Sequence, residues 1–511
     1  MDHFQNKTFF NDESRVHRGL TTLTLFVLSV GMAIYAVRSG NPKIMIGVVA
    51  LPFVIGFVSR PDLMLFGVFL AGASGLSVPG MRLELSQLLF LLATASGALL
   101  FVSKGYRWTM QPERRFMLFF ALVIFLLMAV RGAGLRVLGS STWGGGPYIL
   151  ILAAVVFNFV YERVTITSSQ LKKLLLLMIP VVAGAVIMKR AGVMKGFEEM
   201  AVVGQTVESV ARIGWPGPLG RLLILFSFVW FQHDRMKRWA CWTLGMGLIG
   251  LSGFRGQLAG ALVVVGLFEF FRSSQKKEFF GKCFFIGTFV YILIFLAAPL
   301  LPLGLQRSLS IIPGMEVRLD PEMVWGATRS SLWRQEIWAF CWERVPQYLF
   351  IGRGITLNVY DALANMTGAD IGGRNQWFMY TMHNYHSGPL YILLDFGIPG
   401  LVAFVGVQIS MAVVAVRWLL RRTRRTGTLL EAYTFLMSVT WIWRVFSYYA
   451  VFGDEATIIR TLFSAGILRV FYKSLEREDA ELEEAEALLT GGQMSEIGGQ
   501  TAEVRGLKTE D

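Results

Sequence analysis

Apolar runs of about 15 to 20 residues recur along almost the whole chain, separated by shorter polar intervals. A helix needs about 20 apolar residues to cross a hydrocarbon core, so each run predicts one transmembrane helix. A soluble core of this size would instead show amphipathic helices with one polar face. The pattern predicts an all-α polytopic membrane protein with about 12 to 14 transmembrane helices. The predicted spans lie near 19–37, 43–59, 62–78, 85–103, 116–130, 144–161, 171–188, 215–232, 238–252, 256–271, 282–301, 398–416, 429–443 and 455–472.

Charge is sparse and unevenly placed. The 511 residues are 54% hydrophobic and 16% charged, with a net charge of +13. Basic residues form short clusters between apolar runs, which is typical of cytoplasmic loops and does not indicate nucleic-acid binding. Four clusters fall on one side when the spans are counted, and that side is predicted to be cytoplasmic and to hold both termini. They are Lys104/Arg107/Arg114/Arg115, Arg235/Lys237/Arg238, Arg272/Lys276/Lys277/Lys282 and Arg417/Arg421/Arg422/Arg424/Arg425.

The polar intervals divide the chain into five segments. We expect a cytoplasmic N-terminal segment (1–18), a transmembrane helical domain (19–301), a large external loop (302–387), C-terminal transmembrane helices (388–473) and an acidic cytoplasmic tail (474–511). The loop is rich in tryptophan and tyrosine, which predicts short interfacial helices. The tail is rich in glutamate and interrupted by glycine pairs, so we expect it to be partly disordered.

Three polar features on the external side are candidates for a functional site. Arg255 lies in a tight glycine-flanked turn between two apolar helices, where it either binds an anion or simply snorkels to the interface. Arg334 and Trp338 share one face of a predicted helix, which could equally be an interfacial helix. His383 and His386 stand where the loop enters an apolar run, as site residues or as interfacial caps.

Other motifs are weaker. His383-x-x-His386 lacks a third metal ligand in the neighbouring sequence, and Cys241, Cys283 and Cys341 have no metal-ligand spacing. Asp320-Pro321-Glu322 could hold a divalent cation but is more typical of a turn. Gly352-Arg353-Gly354 predicts a loop whose backbone amides are available to an anion. We therefore expect no metal ion and no cofactor.

Taken together, the motifs resemble the O-antigen ligase and O-antigen polymerase superfamily of bacterial membrane glycosyltransferases. Three segments match in order over roughly residues 215–416. They are Ser252-Gly253-Phe254-Arg255-Gly256, then Arg334-x-x-x-Trp338 with Val345-Pro346 and Gly352-Arg353-Gly354, and then His383-Asn384 with Leu390, Gly397 and Gly400. The sequence departs from the family pattern at Phe254 and at His386.

The resemblance implies a GT-C-like helical fold and a metal-independent transfer of a glycan from a polyprenyl-diphosphate carrier. The reaction would take place at the periplasmic face of the inner membrane. The expected partners include membrane lipids and exclude nucleic acid. By this resemblance His383 would be the catalytic base, and Arg255 and Arg334 would bind the substrate diphosphate. The supporting residues would be Asn384, Trp338, Gly352 and Gly354.

The acceptor is less defined by the resemblance. The expected function is an O-antigen ligase that uses the lipid A core as acceptor in lipopolysaccharide assembly. An O-antigen or exopolysaccharide polymerase, with a second carrier-linked glycan as acceptor, and a protein O-oligosaccharyltransferase share the same motifs. A polysaccharide transporter or flippase is the alternative from another class. A transporter predicts basic or polar residues scattered through several spans, whereas most spans here contain few of them.

Overall fold

The computed structural model describes residues 61–74, 85–103, 110–132, 145–161, 164–190, 216–231, 234–273, 275–355, 376–381, 383–422 and 428–506. Within these ranges the chain is helical and contains no strand, as expected for an all-α membrane protein. The helices are α1 (Pro61–Ser74), α2 (Leu85–Ser103), α3 (Pro112–Arg131), α4 (Gly146–Val160), α5 (Ser168–Arg190), α6 (Pro216–Val229), α7 (Arg235–Leu251), α8 (Arg255–Arg272), α9 (Lys276–Ala297), α10 (Leu303–Leu309), α11 (Pro321–Trp342), α12 (Val345–Tyr348), α13 (Gln376–Thr381), α14 (Gly388–Arg422), α15 (Leu429–Ala450) and α16 (Glu455–Gly506).

Each predicted span inside the described residues coincides with a helix, and the predicted spans at 19–37 and 43–59 lie outside them. Three stretches are long and apolar enough to cross a membrane by length and composition: Ser168–Ile187, Lys276–Leu300 and Gly388–Arg421. Several other apolar helices, among them α4 and α6, are shorter. The all-α membrane fold is therefore confirmed.

Helix α14 lies at the centre of the fold and packs against α3 and α15. Aromatic side chains fill the α3–α14 contact, where the Phe120 ring lies 5.2 Å from Phe396 and 5.9 Å from Phe404. The helix breaks at Gly397, which adopts φ 70° and ψ −173°. This backbone conformation is restricted almost entirely to glycine. The break places the first turns of α14 at an angle to the rest and shapes the candidate site.

Between α9 and α14 lies the loop predicted to be external (302–387), and its described part consists of short helices and one long one. Helix α11 has 22 residues, and Asp320 caps it by accepting hydrogen bonds from the amides of Glu322 and Met323. Pro321 suits the first helical position because its missing N–H would have no partner there. The helix predicted around Arg334 is therefore present, and the Asp320 carboxylate acts as a helix cap.

Residues 474–506 continue helix α16, whereas the sequence pattern led us to expect a partly disordered tail. Glutamate, alanine and leucine are strong helix formers, and each glycine costs only about 1 kcal/mol in a helix. The first turns of this C-terminal segment also form hydrogen bonds with α5 and with the residues just before α5. The amide of Ile166 donates to Ser474 Oγ at 2.8 Å, and Ser168 Oγ donates to Glu478 at 3.0 Å.

Candidate active site

The centre of the site is a buried pair formed by His383 and Asp395. Asp395 Oδ2 lies 2.9 Å from His383 Nδ1, and the two residues are 0% and 8% exposed, respectively. His383 stands in the loop before α14, and Asp395 lies two turns into that helix, just before the break. Since a carboxylate accepts hydrogen bonds, Nδ1 carries the hydrogen of a neutral imidazole and Nε2 carries the lone pair.

Two further side chains complete the pair. The Tyr385 hydroxyl donates to Asp395 Oδ1 at 3.0 Å. Burial, and then the charge of Asp395, raise the pKa of Tyr385 well above its ordinary value, so the hydroxyl keeps its hydrogen. Both carboxylate oxygens of Asp395 therefore have a donor, which fixes the carboxylate in one orientation.

Arg353 lies on the other side of the imidazole. Its Nη2 atom is 2.8 Å from His383 Nε2 and 3.1 Å from Nδ1. The guanidinium donates to the carbonyl oxygens of Tyr380 (2.9 Å) and Thr381 (3.2 Å), and it lies 4.2 Å from the Tyr380 ring centroid. A second N–H on the ring would face the N–H of Arg353, so this contact favours the neutral ring with a lone pair at Nε2.

The break in α14 is filled by the loop that contains Arg353. The amides of Arg353 and Gly354 donate to the carbonyls of Leu394 (2.7 Å) and Asp395 (3.0 Å), which the break leaves without helical partners. A Cβ at Gly352 would lie 2.2 Å from the backbone carbonyl oxygen of Asp395, so only glycine fits. These amides are used inside the protein. The expectation that they are open to an anion is therefore wrong for Arg353 and Gly354.

Arg255 stands at the first position of α8, directly after the turn that links it to α7. Gly253 in that turn has φ 77°, and its carbonyl accepts a 2.6 Å hydrogen bond from Arg307 of α10. A second bond runs from Ser308 Oγ to the Gly250 carbonyl at 2.7 Å. The turn is thus held rigidly by the external loop. The Arg255 guanidinium reaches α11, where Nη2 lies 3.4 Å from the carbonyl oxygen of Ala327.

Helix α11 connects Arg255 to the histidine loop. Ala327, Arg334 and Trp338 lie on one face of α11, because they are seven and four residues apart. Trp338 Nε1 donates to the Tyr385 carbonyl at 2.9 Å. The charge of Arg334 acts on His386. One face of α11 therefore carries Arg334 and contacts both Arg255 and the segment 383–386.

His386 occupies a different environment from His383. Its ring packs between Trp333 and Phe452, with centroid distances of 5.3 and 5.2 Å. Its Nδ1 atom is buried without a hydrogen-bond partner in the described part of the chain. Burial, and then the positive charge of Arg334, lower the pKa of His386 from 6.5 to about 4. His386 is thus a neutral packing residue at ordinary pH.

Both histidines adopt left-handed backbone conformations, with φ 55° at His383 and φ 52° at His386. Such values are uncommon outside glycine and cluster at functional sites. Asn384, between them in the same loop, donates its backbone N–H to the Met379 carbonyl at 2.9 Å. The loop therefore has a fixed conformation that directs His383 towards Asp395.

Residues 239–405 match the sequence profile of the family described as O-antigen ligase. This match supports the O-antigen ligase and polymerase superfamily. The resemblance stated from the motifs is thereby confirmed, and a ligase- or polymerase-type enzymatic function is supported in general terms. No curated protein sequence matches the chain. The matched range contains Arg255, Arg334, His383 and Asp395.

Three site residues within this matched range were missed by sequence reasoning: Arg353, Tyr385 and Asp395. Asp395 carried a usable signal, because a carboxylate within an apolar run is costly unless it has a partner. Arg353 lies between two glycines, as Arg255 lies close to two, but the glycines of this loop draw attention to its backbone amides rather than to its side chain. Tyr385 gave no distinct signal in a segment rich in aromatic residues.

Proposed function

We propose that the protein is a glycosyltransferase that moves a glycan from a polyprenyl-diphosphate carrier to an acceptor hydroxyl. The observation that carries this proposal is the buried His383–Asp395 pair beside a helix face that bears Arg334 and contacts Arg255. A base held in one tautomer, next to fixed positive charges, suits an attack by a hydroxyl group with departure of a diphosphate.

In this mechanism His383 removes the acceptor's proton. Asp395 holds the imidazole by Nδ1, so Nε2 is directed at the acceptor hydroxyl. Arg353 contacts Nε2 in the structure at 2.8 Å, and the acceptor hydroxyl would take that position when it binds. Arg353 would keep its bonds to the Tyr380 and Thr381 carbonyls while its Nη2 group yields that contact. The oxygen then attacks the anomeric carbon, and the sugar–phosphate bond breaks.

Arg255 and Arg334 would stabilise the leaving diphosphate. Negative charge grows on the diphosphate oxygens as the bond breaks, and guanidinium groups match these oxygens with two parallel hydrogen bonds. Since both arginines are always charged, no metal ion is needed in this proposal. The aromatic side chains of the loop, including Trp338, would pack on sugar faces.

The placement of basic residues supports an external, periplasmic site at the bacterial inner membrane. The turn before Arg255, the start of α14 and the end of α15 meet at the site. Arg235, Arg272 and Arg417 stand at the opposite ends of their helices. Clusters of arginine and lysine mark the cytoplasmic side, so the site would face the periplasm.

We further propose that the acceptor is the lipid A core, which makes the protein an O-antigen ligase in lipopolysaccharide assembly. The matched family is described as O-antigen ligase, which agrees with this proposal, and polymerases and protein O-oligosaccharyltransferases share its motifs. Purified protein reconstituted with carrier-linked glycan and lipid A core should form the glycosylated core without ATP. Transfer only to a second carrier-linked glycan would indicate a polymerase. Translocation of the carrier without any covalent transfer would contradict the enzyme proposal.

A further inference from the structure

Three arginines stand inside apolar helices at the same depth, apart from the residues of the candidate active site. Arg221 lies five residues after the start of α6, Arg460 five residues after the start of α16, and Arg444 six residues before the end of α15. At 1.5 Å per residue, each lies about 8 to 9 Å from the end of its helix.

These helix ends belong to the same side of the molecule as the candidate active site. A Cβ at Gly217 of α6 would lie 2.7 Å from the side chain of Gln257 in α8. A Cβ at Gly256 would lie 3.4 Å from Val451, which directly follows α15. The three arginines are therefore located about two helical turns from the helix ends on the side of the site. In a membrane-spanning protein this would place them near the boundary between the phosphate groups and the chains of the lipids.

The arginines form one group rather than three separate snorkelling side chains. Arg444 Nη1 donates to the Arg460 carbonyl oxygen at 2.9 Å and also to Ser464 Oγ. These bonds fix the Arg444 guanidinium against α16. The positive charge of Arg460 acts on both Arg221 and Arg444, so Arg460 is close enough to repel each of the other two.

The group is accessible from the membrane side. Arg221 and Arg460 are exposed on the protein surface, and Arg444 is half-buried behind them. Among the described residues, none of the three arginines forms an ion pair with a carboxylate. Like charges held together at this depth cost free energy unless they share an anion.

We propose that Arg221, Arg444 and Arg460 form a binding site for the phosphate or diphosphate group of a membrane lipid. One multiply charged phosphate group would remove the mutual repulsion and accept several guanidinium hydrogen bonds. Its hydrocarbon chain would lie along the protein surface next to the arginines. Under the proposed function, such a site would receive a phosphate-bearing substrate from the bilayer below the active site. The binding itself requires no glycosyl transfer.

The test uses the full-length protein in dodecyl maltoside micelles, which carry no phosphate, with a fluorescent polyprenyl diphosphate as the probe. Arg255→Gln and Arg334→Gln are present in every sample, so that binding by the active-site arginines does not mask the result. We expect Arg444→Gln and Arg460→Gln each to weaken binding about tenfold, and the triple variant with Arg221→Gln to abolish it. Arg421→Gln, at the opposite end of α14, should bind as the parent does.

Competitors identify the ligand's chemistry. A polyprenol without phosphate should not displace the probe, and inorganic pyrophosphate should do so only if the site takes free anions. Arg444→Lys, which keeps the charge, should retain part of the affinity and serves as a folding control. Unchanged binding in the triple variant, or displacement by polyprenol as efficient as by polyprenyl diphosphate, would overturn the proposal. Glycan transfer is measured in a separate assay. A protein that binds the probe but transfers no glycan would therefore contradict the proposed function and not the binding site.

Discussion

The Nδ1 atom of His383 lies 2.9 Å from Oδ2 of Asp395, across the junction between an external loop and a broken helix. Tyr385 and the loop around Arg353 fix both partners. The imidazole is therefore held in one orientation before any substrate binds. Preorganised groups of this kind lower an activation barrier because they need no rearrangement during the reaction.

We expect Asp395→Asn to lower the turnover number for glycan transfer by about 100-fold or more. The amide would still fit the space, but it allows the imidazole to adopt the wrong tautomer. The Michaelis constant for the carrier-linked glycan should change little, since Asp395 contacts His383 rather than the donor in this account. Steady-state kinetics in nanodiscs separate the two parameters. An unchanged turnover number would show that Asp395 does not position His383 for the reaction.

Arg255→Gln and Arg334→Gln should each reduce kcat/KM for the carrier-linked donor by about 100- to 1000-fold. Each substitution removes a fixed positive charge that would face the developing diphosphate. The lysine variants should recover part of the loss, because the charge remains while the paired hydrogen bonds do not. Arg421→Gln is the matched control at the other end of the molecule. Equal losses in the glutamine variants and the control would indicate a general effect of charge on insertion.

Gly397→Ala should destabilise the protein by about 1 to 3 kcal/mol, because its backbone conformation is accessible almost only to glycine. A Cβ there would also lie 2.8 Å from the Leu349 carbonyl oxygen. Gly266→Ala in α8 is the control, since an added Cβ meets no described atom within 4 Å. Thermal unfolding in detergent compares the two variants. Equal unfolding midpoints for the two variants would show that position 397 does not require glycine.

His386 makes stability depend on pH. Its pKa in the folded protein is lowered to about 4 from an ordinary 6.5, so between these values the unfolded chain binds more protons. Its contribution to stability is complete above pH 6.5 and is lost as pH falls towards 4. His386→Asn, which tolerates the left-handed backbone, should show a smaller fall in unfolding temperature between pH 7 and pH 4.5. If the unfolding temperature of the variant falls as far as that of the parent, other titratable groups cause the pH dependence.

The helices could be predicted from the sequence because each apolar run exceeds the length of a membrane crossing or approaches it. Arg255, Arg334 and His383 could be selected for a related reason: each is a polar residue where an apolar pattern ends. The resemblance to the O-antigen ligase family then assigned them roles. Their assembly along one face of α11 depends on how the external loop folds, and the periodicity of a single helix does not specify its partner.

Asp395, Arg353 and Tyr385 could not be predicted in the same way. The position of Arg353 beside the pair of His383 and Asp395 depends on the break in α14, which frees the Leu394 and Asp395 carbonyls. A glycine followed by a proline two residues later does not specify that residues 352–354 fill this break. In the tail, glycine pairs predict partial disorder, and the helix-forming residues around them continue α16 to residue 506 in the structure.

The most direct test of the central claim is the rate of glycan transfer by His383→Gln compared with that of His386→Asn. Both variants are reconstituted with the same carrier-linked glycan and acceptor, and donor binding is measured separately. If His383 is the base, its variant should lose about 100- to 10,000-fold in transfer rate while it still binds the donor. His386→Asn should transfer glycan close to the parent rate. Transfer by His383→Gln at the rate of the parent would contradict the account.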